Sequence, residues 1–270
     1  MVATPIGNMG DITLRAIETL KGADAVICED SRVSGGLLNR LGFKKPLIPY
    51  HDHNADQMRP KLLDRLQAGE SLALISDAGT PLVSDPGCKL VREAVSAGIA
   101  VTALPGPSAL LAGLVLSGLP SDRFMFAGFL PSKQASRRQA IATLKPVPAT
   151  LILYESPHRL AETLGDLAEI LGDRCAAVAR ELTKLFEEVR RASLSDLARN
   201  YNQGPAPKGE LVIVIGPPEE GASDLNQLET LLHTALETMS LRDAAEAVAK
   251  ASGRPKREVY NQALAMGQRK

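Results

Sequence analysis

Short apolar segments alternate with segments of helical periodicity between residues 12 and 215, and this alternation restricts the possible folds more than any other feature. The predicted helices repeat apolar residues at spacings of three and four, over residues 12–21, 55–67, 89–97, 138–144 and 159–171. The predicted strands are short and rich in β-forming residues, over residues 25–28, 45–49, 72–76, 99–104, 124–129, 150–154, 176–179 and 211–215. This order of elements predicts an α/β protein with largely parallel sheets.

The pattern breaks at two places, and these breaks predict the domain boundaries. The sequence SGLPSDR interrupts it around residues 118–122, and PPEEG at 217–221 follows a strand without apolar periodicity, as a linker does. We therefore expect an N-terminal α/β domain over 1–119, a second α/β domain over 120–218 and a helical tail over 224–270.

The tail has the pattern of two short helices. Ser240 and Asp243 have the spacing of a capping box, and an apolar stripe follows them. The sequence SGRP at 252–255 breaks this helix, and apolar residues resume at Val259, which predicts a helix-turn-helix shape. The end of the tail is basic. This basic face either is simply solvated or contacts an RNA backbone.

The charge and the cysteines limit the class of protein. The 270 residues include 31 Lys and Arg and 31 Asp and Glu, so a nucleic-acid partner has to be bound by a local basic patch. Three dispersed cysteines indicate reduced thiols rather than a disulfide framework or a zinc site. The longest apolar stretch, 110–119, has about half the length that a membrane span needs, and the N-terminus lacks a signal-peptide pattern. We expect a cytoplasmic protein without a membrane partner.

Loops rich in proline and glycine follow several predicted strands. Neither G-x-G-x-x-G after a strand nor a P-loop motif is present, so a dinucleotide fold and a P-loop are not supported. Instead SDAGTPLVSDPG at 76–87 and PGPSA at 105–109 follow neighbouring predicted strands, and TPIGN at 4–8 follows a first strand that is too short to be regular. Ligands of open α/β sheets bind at the carboxyl ends of strands, so these loops predict a ligand cleft.

Charged clusters also stand at strand ends, namely EDSR at 29–32, YESPHR at 154–159 and RELTK at 180–184. Such clusters either carry function through perturbed pKa values or form structural ion pairs. The segment HDHN at 51–54 lacks further ligands for a metal, so Asp52 or Asn54 is expected to cap the next helix or to contact substrate. His158 and His233 have no neighbouring nucleophile that would indicate a catalytic triad.

Nine segments in order resemble one known family: TPIGN, EDSR, HDHN, SDAGTPLVSDPG, PGPSA, GFLP, YESPHR, ARELTK and KGE. Together they are similar to the ribosomal RNA small subunit methyltransferase I branch of the tetrapyrrole methylase family. The resemblance implies two α/β domains with S-adenosylmethionine in the cleft between them, a homodimer, and 2′-O-methylation of a cytidine in the decoding region of 16S ribosomal RNA. It also implies binding to small-subunit ribosomal RNA or to the assembled 30S subunit.

The resemblance carries cofactor contacts onto this sequence. They are Pro5, Asp77, Gly79, Thr80, Val83, Ser108, Ala109, Tyr154, Glu155, Leu182 and Gly209. Thr80 stands where porphyrin-modifying relatives carry Asp, which favours the ribosomal RNA branch. No metal is implied.

Methyl transfer to a ribose needs a positioned hydroxyl and a group that accepts its proton. The candidates for this base are Asp30, Glu155, Glu181 and Lys184, and we favour Glu155 and Lys184 because both follow strands of the second domain. The candidates for RNA contact are exposed-looking cations around the cleft and in the tail: Arg32, Lys133, Arg137, Arg138, Arg159, Arg254, Lys256 and Arg257.

Three other functions remain open on the residues alone. The first is a tetrapyrrole C-methyltransferase on the same scaffold. The second is a ribosome-assembly factor without activity, and the third, a nucleotide hydrolase with Mg²⁺, is disfavoured because the acids are scattered over different strands.

Overall fold

The computed structural model describes residues 1–218, 230–252 and 255–267. The chain divides into two compact units, of which the first comprises Met1–Ala142 and Ala149–Gly216 and the second comprises Thr143–Pro148 and Pro217–Lys270. The first unit contains two separate sheets, one on each side of the predicted boundary at residue 119. That boundary stays a prediction.

The first sheet is small and fully parallel. Its strands β1 (Ala25–Cys28), β2 (Leu47–Pro49) and β3 (Leu72–Leu74) lie in the order β2-β1-β3. All three fall within predicted strands. The predicted strand at 99–104 is wrong: in the described structure this segment is joined to residues 1–4 by a single isolated bridge, between Val2 and Leu104, and forms no regular strand.

Four α-helices belong to this half of the chain: α1 (Leu14–Gly22), α2 (Ser31–Arg40), α3 (Ala55–Gln67) and α4 (Cys88–Ser96). A fifth, α5 (Ala109–Ser117), connects it to the second sheet. Apolar side chains of α1 and α2 pack with β1 into one core, which includes Leu20, Val26 and Leu38. The sequence pattern did not predict α2, since the adjacent glycines Gly35 and Gly36 have low helix propensity.

The second sheet is mixed. Its strands are β4 (Phe124–Phe129), β5 (Thr150–Glu155), β6 (Cys175–Arg180), β7 (Glu188–Ser193) and β8 (Leu211–Ile215), in the order β4-β5-β8-β6-β7. Only β4 and β5 pair in parallel; the other neighbours are antiparallel, which corrects the prediction of largely parallel sheets. The chain returns through β8 between β5 and β6. Helices α6 (Gln134–Leu144), α7 (Leu160–Leu171) and α8 (Leu194–Asn202) belong to this half.

Helix α5 packs closely on the second sheet. A Cβ atom on Gly113 would lie 2.8 Å from Cγ1 of Val212 on β8, so only glycine permits this approach. Leu114 joins Ile152, Val212 and the N-terminal Ile6 in one core. This core holds the first loop of the chain and the ends of the second sheet in fixed positions.

The second unit contains a small helical core. Helices α9 (Leu241–Ser252) and α10 (Lys256–Gly267) pack through Val248, Val259 and Ala263, together with Leu232 from the helical residues 230–236. Oγ of Ser240 accepts a hydrogen bond from the backbone N–H of Asp243 at 3.3 Å. The predicted pair of tail helices is therefore confirmed. No helix in the described part of the chain is both long and apolar enough to span a membrane.

Candidate active site

Loops from both sheets line one cavity of about 430 Å³ in the first unit. The structure brings to it every predicted cofactor residue except Pro5, which lines a neighbouring cavity. Those lining residues are Asp77, Gly79, Thr80, Val83, Ser108, Ala109, Tyr154, Glu155, Leu182 and Gly209. The loops that the sequence singled out thus converge, while the contact of each residue with a cofactor stays a prediction.

Hydrogen bonds fix these loops to one another. The hydroxyl of Thr80 donates to the carbonyl of Pro107 at 3.1 Å, which ties the two Pro/Gly loops together. The backbone groups of Thr4 and Gly79 exchange hydrogen bonds of 2.9 and 3.1 Å. A rigid frame of this kind keeps a binding site in shape before its ligand arrives.

The loops also store backbone strain. In the described part of the chain, the non-glycine residues with positive φ are Leu82, Ser84, Glu181 and Thr183. All four belong to the loops at 76–87 and 180–184. Of the four, Ser84 lines the cavity itself, and Glu181 and Thr183 flank the lining residue Leu182. Strained residues of this kind cluster at functional sites because the surrounding structure has to hold them.

One wall of the cavity is apolar and aromatic. Tyr154 meets Phe126 and Phe129 edge to face, with ring centroids 4.8 and 5.6 Å apart. Leu182 and Val212 extend this wall. Burial raises the pKa of the Tyr154 hydroxyl, so this residue is neutral at physiological pH. The wall suits a flat ring.

Four carboxylates line the same cavity: Asp77, Asp85, Glu155 and Glu210. Burial, assisted by the negative charge of Glu29, raises the pKa of Asp85 to about 6. Burial likewise raises the pKa of Asp77. Asp85 was missed by the sequence prediction, although it stands in the SDPG half of the most specific loop. The sequence offered one signal for Asp85, namely that this aspartate stands between two turns whose backbone is constrained by proline.

The Glu155 carboxylate is occupied by structural hydrogen bonds. Its Oε1 accepts from the Ser156 backbone at 2.7 Å, and its Oε2 accepts from the Thr163 hydroxyl at 2.7 Å. Arg159 lies 3.4 Å from Oε2, and Glu155 is only 3% exposed. Glu155 therefore organises the start of α7, and its oxygens are poorly placed to accept a proton from substrate.

Lys184 belongs to an ionic cluster. Its ammonium donates to Glu181 at 2.8 Å and to Glu210 at 3.0 Å. Burial lowers the pKa of Lys184, but these two hydrogen bonds outweigh it and raise the pKa above the ordinary value. Lys184 in turn lowers the pKa of Glu181. A lysine held as an ammonium and a stabilised carboxylate are both poor bases.

Gly209 is required beside this cluster. Its φ is +95°, and a Cβ atom there would clash with Oε1 of Glu181. The KGE segment can therefore pass over Glu181 only with glycine at this position.

Asp30 is also unsuited to act as the base. Its side chain accepts from the Arg32 backbone at 2.8 Å and caps α2. Hydrogen bonds from the Arg32 side chain are the main reason that the pKa of Asp30 falls to about 2. These contacts disfavour Glu155 and Lys184 as the base, and among the cavity acids Asp77 and Asp85 have the raised pKa values that a base needs.

The predicted RNA contacts divide by exposure. The structure disfavours an RNA contact for Arg137, because its side chain is 1% exposed and bonded to Asp166. Arg138 pairs with Asp166 and Glu169, and Arg159 donates to the carbonyls of Leu130 and Pro131. Exposed cations are Arg32, Lys133, Lys256 (paired with Glu246) and Arg257, whereas Arg254 lies outside the described residues.

The HDHN segment is an ordered turn. Oδ1 of Asn54 accepts from the backbone of His51 at 2.9 Å, and its Nδ2 donates to the carbonyl of Pro49 at 3.0 Å. Asn54 stands at the N-terminus of α3 as predicted, but its side chain makes no capping bond there. Over residues 1–218, 230–252 and 255–267, no group of three His, Cys, Asp or Glu side chains is arranged to hold a metal ion.

Two family models cover most of the chain. The model described as Tetrapyrrole (Corrin/Porphyrin) Methylases matches residues 1–198, and the model described as RsmI C-terminal HTH domain matches residues 222–267. The chain is 53% identical, over 98% of its length and 90% of the relative's, to ribosomal RNA small subunit methyltransferase I of Mesorhizobium japonicum. The chain belongs to the ribosomal RNA small subunit methyltransferase I family.

A second relative agrees with this assignment. The ribosomal RNA small subunit methyltransferase I of Erythrobacter litoralis is 52% identical over 98% of this chain and 93% of its own length. Among solved structures, diphthine synthase matches with a TM-score of 0.62 at 18% identity, over 80% of this chain and 88% of that one. The structural match shows the fold, and the sequence matches identify a methyltransferase of the ribosomal RNA small subunit methyltransferase I family.

Proposed function

We propose that this chain transfers the methyl group of S-adenosylmethionine to the ribose 2′-oxygen of a cytidine in the decoding region of 16S ribosomal RNA. The observation that carries the proposal is the convergence of the predicted cofactor loops on one cavity that has an aromatic wall and four carboxylates. The names of the relatives support RNA over a tetrapyrrole as the methyl acceptor.

The cavity fits the cofactor in size and in chemistry. Its volume of about 430 Å³ lies within the range of small-molecule sites, which is about 300–1,000 Å³. Tyr154, Leu182 and Val212 offer an apolar surface to the adenine ring. Asp85 offers negative charge to a cationic ligand, since a buried carboxylate is best stabilised by an opposite charge. S-adenosylmethionine supplies a methyl group that its sulfonium centre activates.

Asp77 is the proton acceptor in this proposal. Among the described residues, it alone lines both the cofactor cavity and the neighbouring cavity that contains Pro5, which supports a role between cofactor and acceptor. Its Oδ1 accepts from the Asp30 backbone at 3.2 Å, which orients the carboxylate. The 2′-hydroxyl gives its proton to Asp77 as the oxygen attacks, and a positioned base of this kind accelerates a reaction about 10²–10⁴-fold.

The partner is small-subunit ribosomal RNA or the assembled 30S subunit. Arg32, Lys133 and Arg257 are exposed, which a contact with RNA phosphates requires. The protein acts in the cytoplasm, in keeping with its free cysteines, and as a homodimer. Leu111 and Val115 of α5 are 49% and 75% exposed, which provides apolar surface for a second copy.

The direct test is to incubate the pure protein with labelled S-adenosylmethionine and either naked 16S RNA or 30S subunits. We expect one ribose methyl on a single cytidine of the decoding region, located by mass mapping of nuclease fragments. Label on a porphyrinoid acceptor but on no RNA would support the tetrapyrrole alternative. A protein that binds no S-adenosylmethionine by calorimetry would be an assembly factor instead.

The raised pKa of Asp85 predicts how the affinity for the cofactor depends on pH. With its pKa raised to about 6, Asp85 is ionised at pH 7.5 and increasingly neutral below pH 6. A cationic ligand binds better to the ionised form, so the Kd for S-adenosylmethionine should rise about tenfold between pH 7 and pH 5. Calorimetry should show this rise in the wild type and a nearly constant, weaker affinity in Asp85→Asn. The exposed Asp122→Asn is the matched control, and an equal pH dependence in Asp85→Asn would refute the assignment.

A further inference from the structure

A second cavity, of about 320 Å³, lies along one face of α2. Within the part of the chain that the structure describes, Asp77 is the only residue that it shares with the cofactor cavity. Its other side is formed by the start of the chain, including Pro5. The α2 cavity therefore adjoins the place where the methyl group has to be transferred.

Three lining residues of α2 form a stripe. Arg32, Gly36 and Arg40 are spaced by four residues, so they project from the same side of the helix. No ion pair of Arg40 is found among the described residues, and its side chain is exposed. Arg32 pairs with Asp30, but at 89% side-chain exposure this pair is weak enough to yield to a phosphate.

Gly36 has no structural reason to be glycine. It stands inside a helix, where glycine is unfavourable, and its backbone is helical rather than left-handed. A Cβ atom added there would meet nothing within 4 Å. The missing side chain instead leaves open space on the floor of the cavity, between the two arginines.

We propose that the α2 cavity receives the ribose-phosphate backbone of the acceptor RNA strand, with Arg32 and Arg40 contacting its phosphates and Gly36 giving it room against the helix. This inference rests on the proposed function. It places the acceptor ribose beside Asp77, at the junction of the two cavities. A phosphodiester fits because it is anionic, narrow and flanked by phosphates that two separated guanidinium groups can bind.

The first test compares glycines in matched settings. Gly165 also stands inside a helix, α7, with nothing within 4 Å of an added Cβ, and it lines neither of the two cavities. Gly36→Gln and Gly165→Gln should both raise Tm, because glutamine is the better helix former. Only Gly36→Gln should raise the KM for 30S subunits, about tenfold, while the Kd for S-adenosylmethionine stays within twofold of wild type.

The second test compares arginines. Arg40→Gln should raise the KM for RNA roughly tenfold and lower the slope of log K against log salt by about one. Arg92→Gln, on the exposed side of α4, is the control and should change neither value.

The outcomes distinguish a failure of this inference from a failure of the proposed function. If the wild type methylates RNA but Gly36→Gln and Arg40→Gln match their controls in KM, the α2 cavity is not the RNA site, and the proposed function stands. If the wild type binds S-adenosylmethionine but labels no RNA, the proposed function fails, and this inference fails with it.

Discussion

Asp77→Asn is expected to lower kcat about 10²–10³-fold while the Kd for S-adenosylmethionine changes by less than about threefold. Asparagine keeps the size of the side chain and an oxygen that accepts from the Asp30 backbone, so the loop should keep its shape. What it removes is the ability to take the proton from the 2′-hydroxyl. Single-turnover methylation of 30S subunits at saturating cofactor measures this loss.

The pH profile adds a second readout for Asp77. Burial raises the pKa of this carboxyl above its ordinary value, and a base works only when it is deprotonated. The wild-type kcat should therefore fall as the pH falls through the raised pKa of Asp77. Asp77→Asn should lose this acidic limb, because the variant has no proton acceptor left to titrate.

Asp30→Asn is the matched control for this prediction. Asparagine caps helices about as well as aspartate, so α2 should persist in this variant. If Asp77 is the base, Asp30→Asn should keep kcat within about fivefold of wild type. A large loss in Asp30→Asn together with near-normal turnover in Asp77→Asn would return the role to Asp30, as the sequence first allowed.

The cavity was predictable from sequence, but the roles of the charged residues around it were not. Proline and glycine in the loops at 76–87 and 105–109 constrain the backbone locally, and local constraints can be seen in a sequence. Lys184 donates to Glu210, which is 26 residues away along the chain, and the Glu155 carboxylate accepts a hydrogen bond from Thr163 of α7. Partners brought in by the fold decide whether a charged residue acts as a base or as a support.

The strands, too, were predictable only where the signal is local in the sequence. Strands β1, β4 and β8 were predictable because each is a short run of apolar or aromatic residues. Strand β7 was not, since its sequence EVRRAS is polar, as suits an edge strand that pairs only with β6. The antiparallel pairing of β8 with β5 and β6 also leaves no periodic signal, because both directions have the same alternation.

Arg137 illustrates why a cluster of basic residues does not by itself identify an RNA surface. In the sequence SKQASRR it looks solvated, yet Arg137 on α6 lies against α7 with its Nε donating to Asp166 at 2.7 Å. Asp166 is 4% exposed and also accepts from Arg138 at 2.9 Å. Burial alone would raise the pKa of Asp166, but the two arginines outweigh it and lower the pKa, so the carboxylate stays charged at neutral pH.

Arg137→Met should therefore destabilise the protein by about 3–5 kcal/mol, because it leaves the buried Asp166 carboxylate without its main partner. A loss of this size lowers Tm by roughly 6–20 °C for a protein of this size. At temperatures where the variant is folded, its KM for RNA should equal that of the wild type. The double variant Arg137→Met/Asp166→Leu removes both charges and should recover much of the lost stability.

The exposed Lys133→Gln provides the opposite pattern as a control. It should leave Tm unchanged and weaken RNA binding modestly, since Lys133 precedes α6 with its side chain in solvent.

The stability that the Arg137–Asp166 pair contributes should be fully present above the ordinary pKa of an aspartate and should be lost as the pH falls through the lowered pKa of Asp166. Unfolding by urea at pH 7 and at pH 3 measures this difference. If Arg137→Met instead keeps its Tm and raises the KM for RNA, then Arg137 leaves its buried site to contact the substrate. The ion pair with Asp166 would then open on RNA binding and would not be needed for stability.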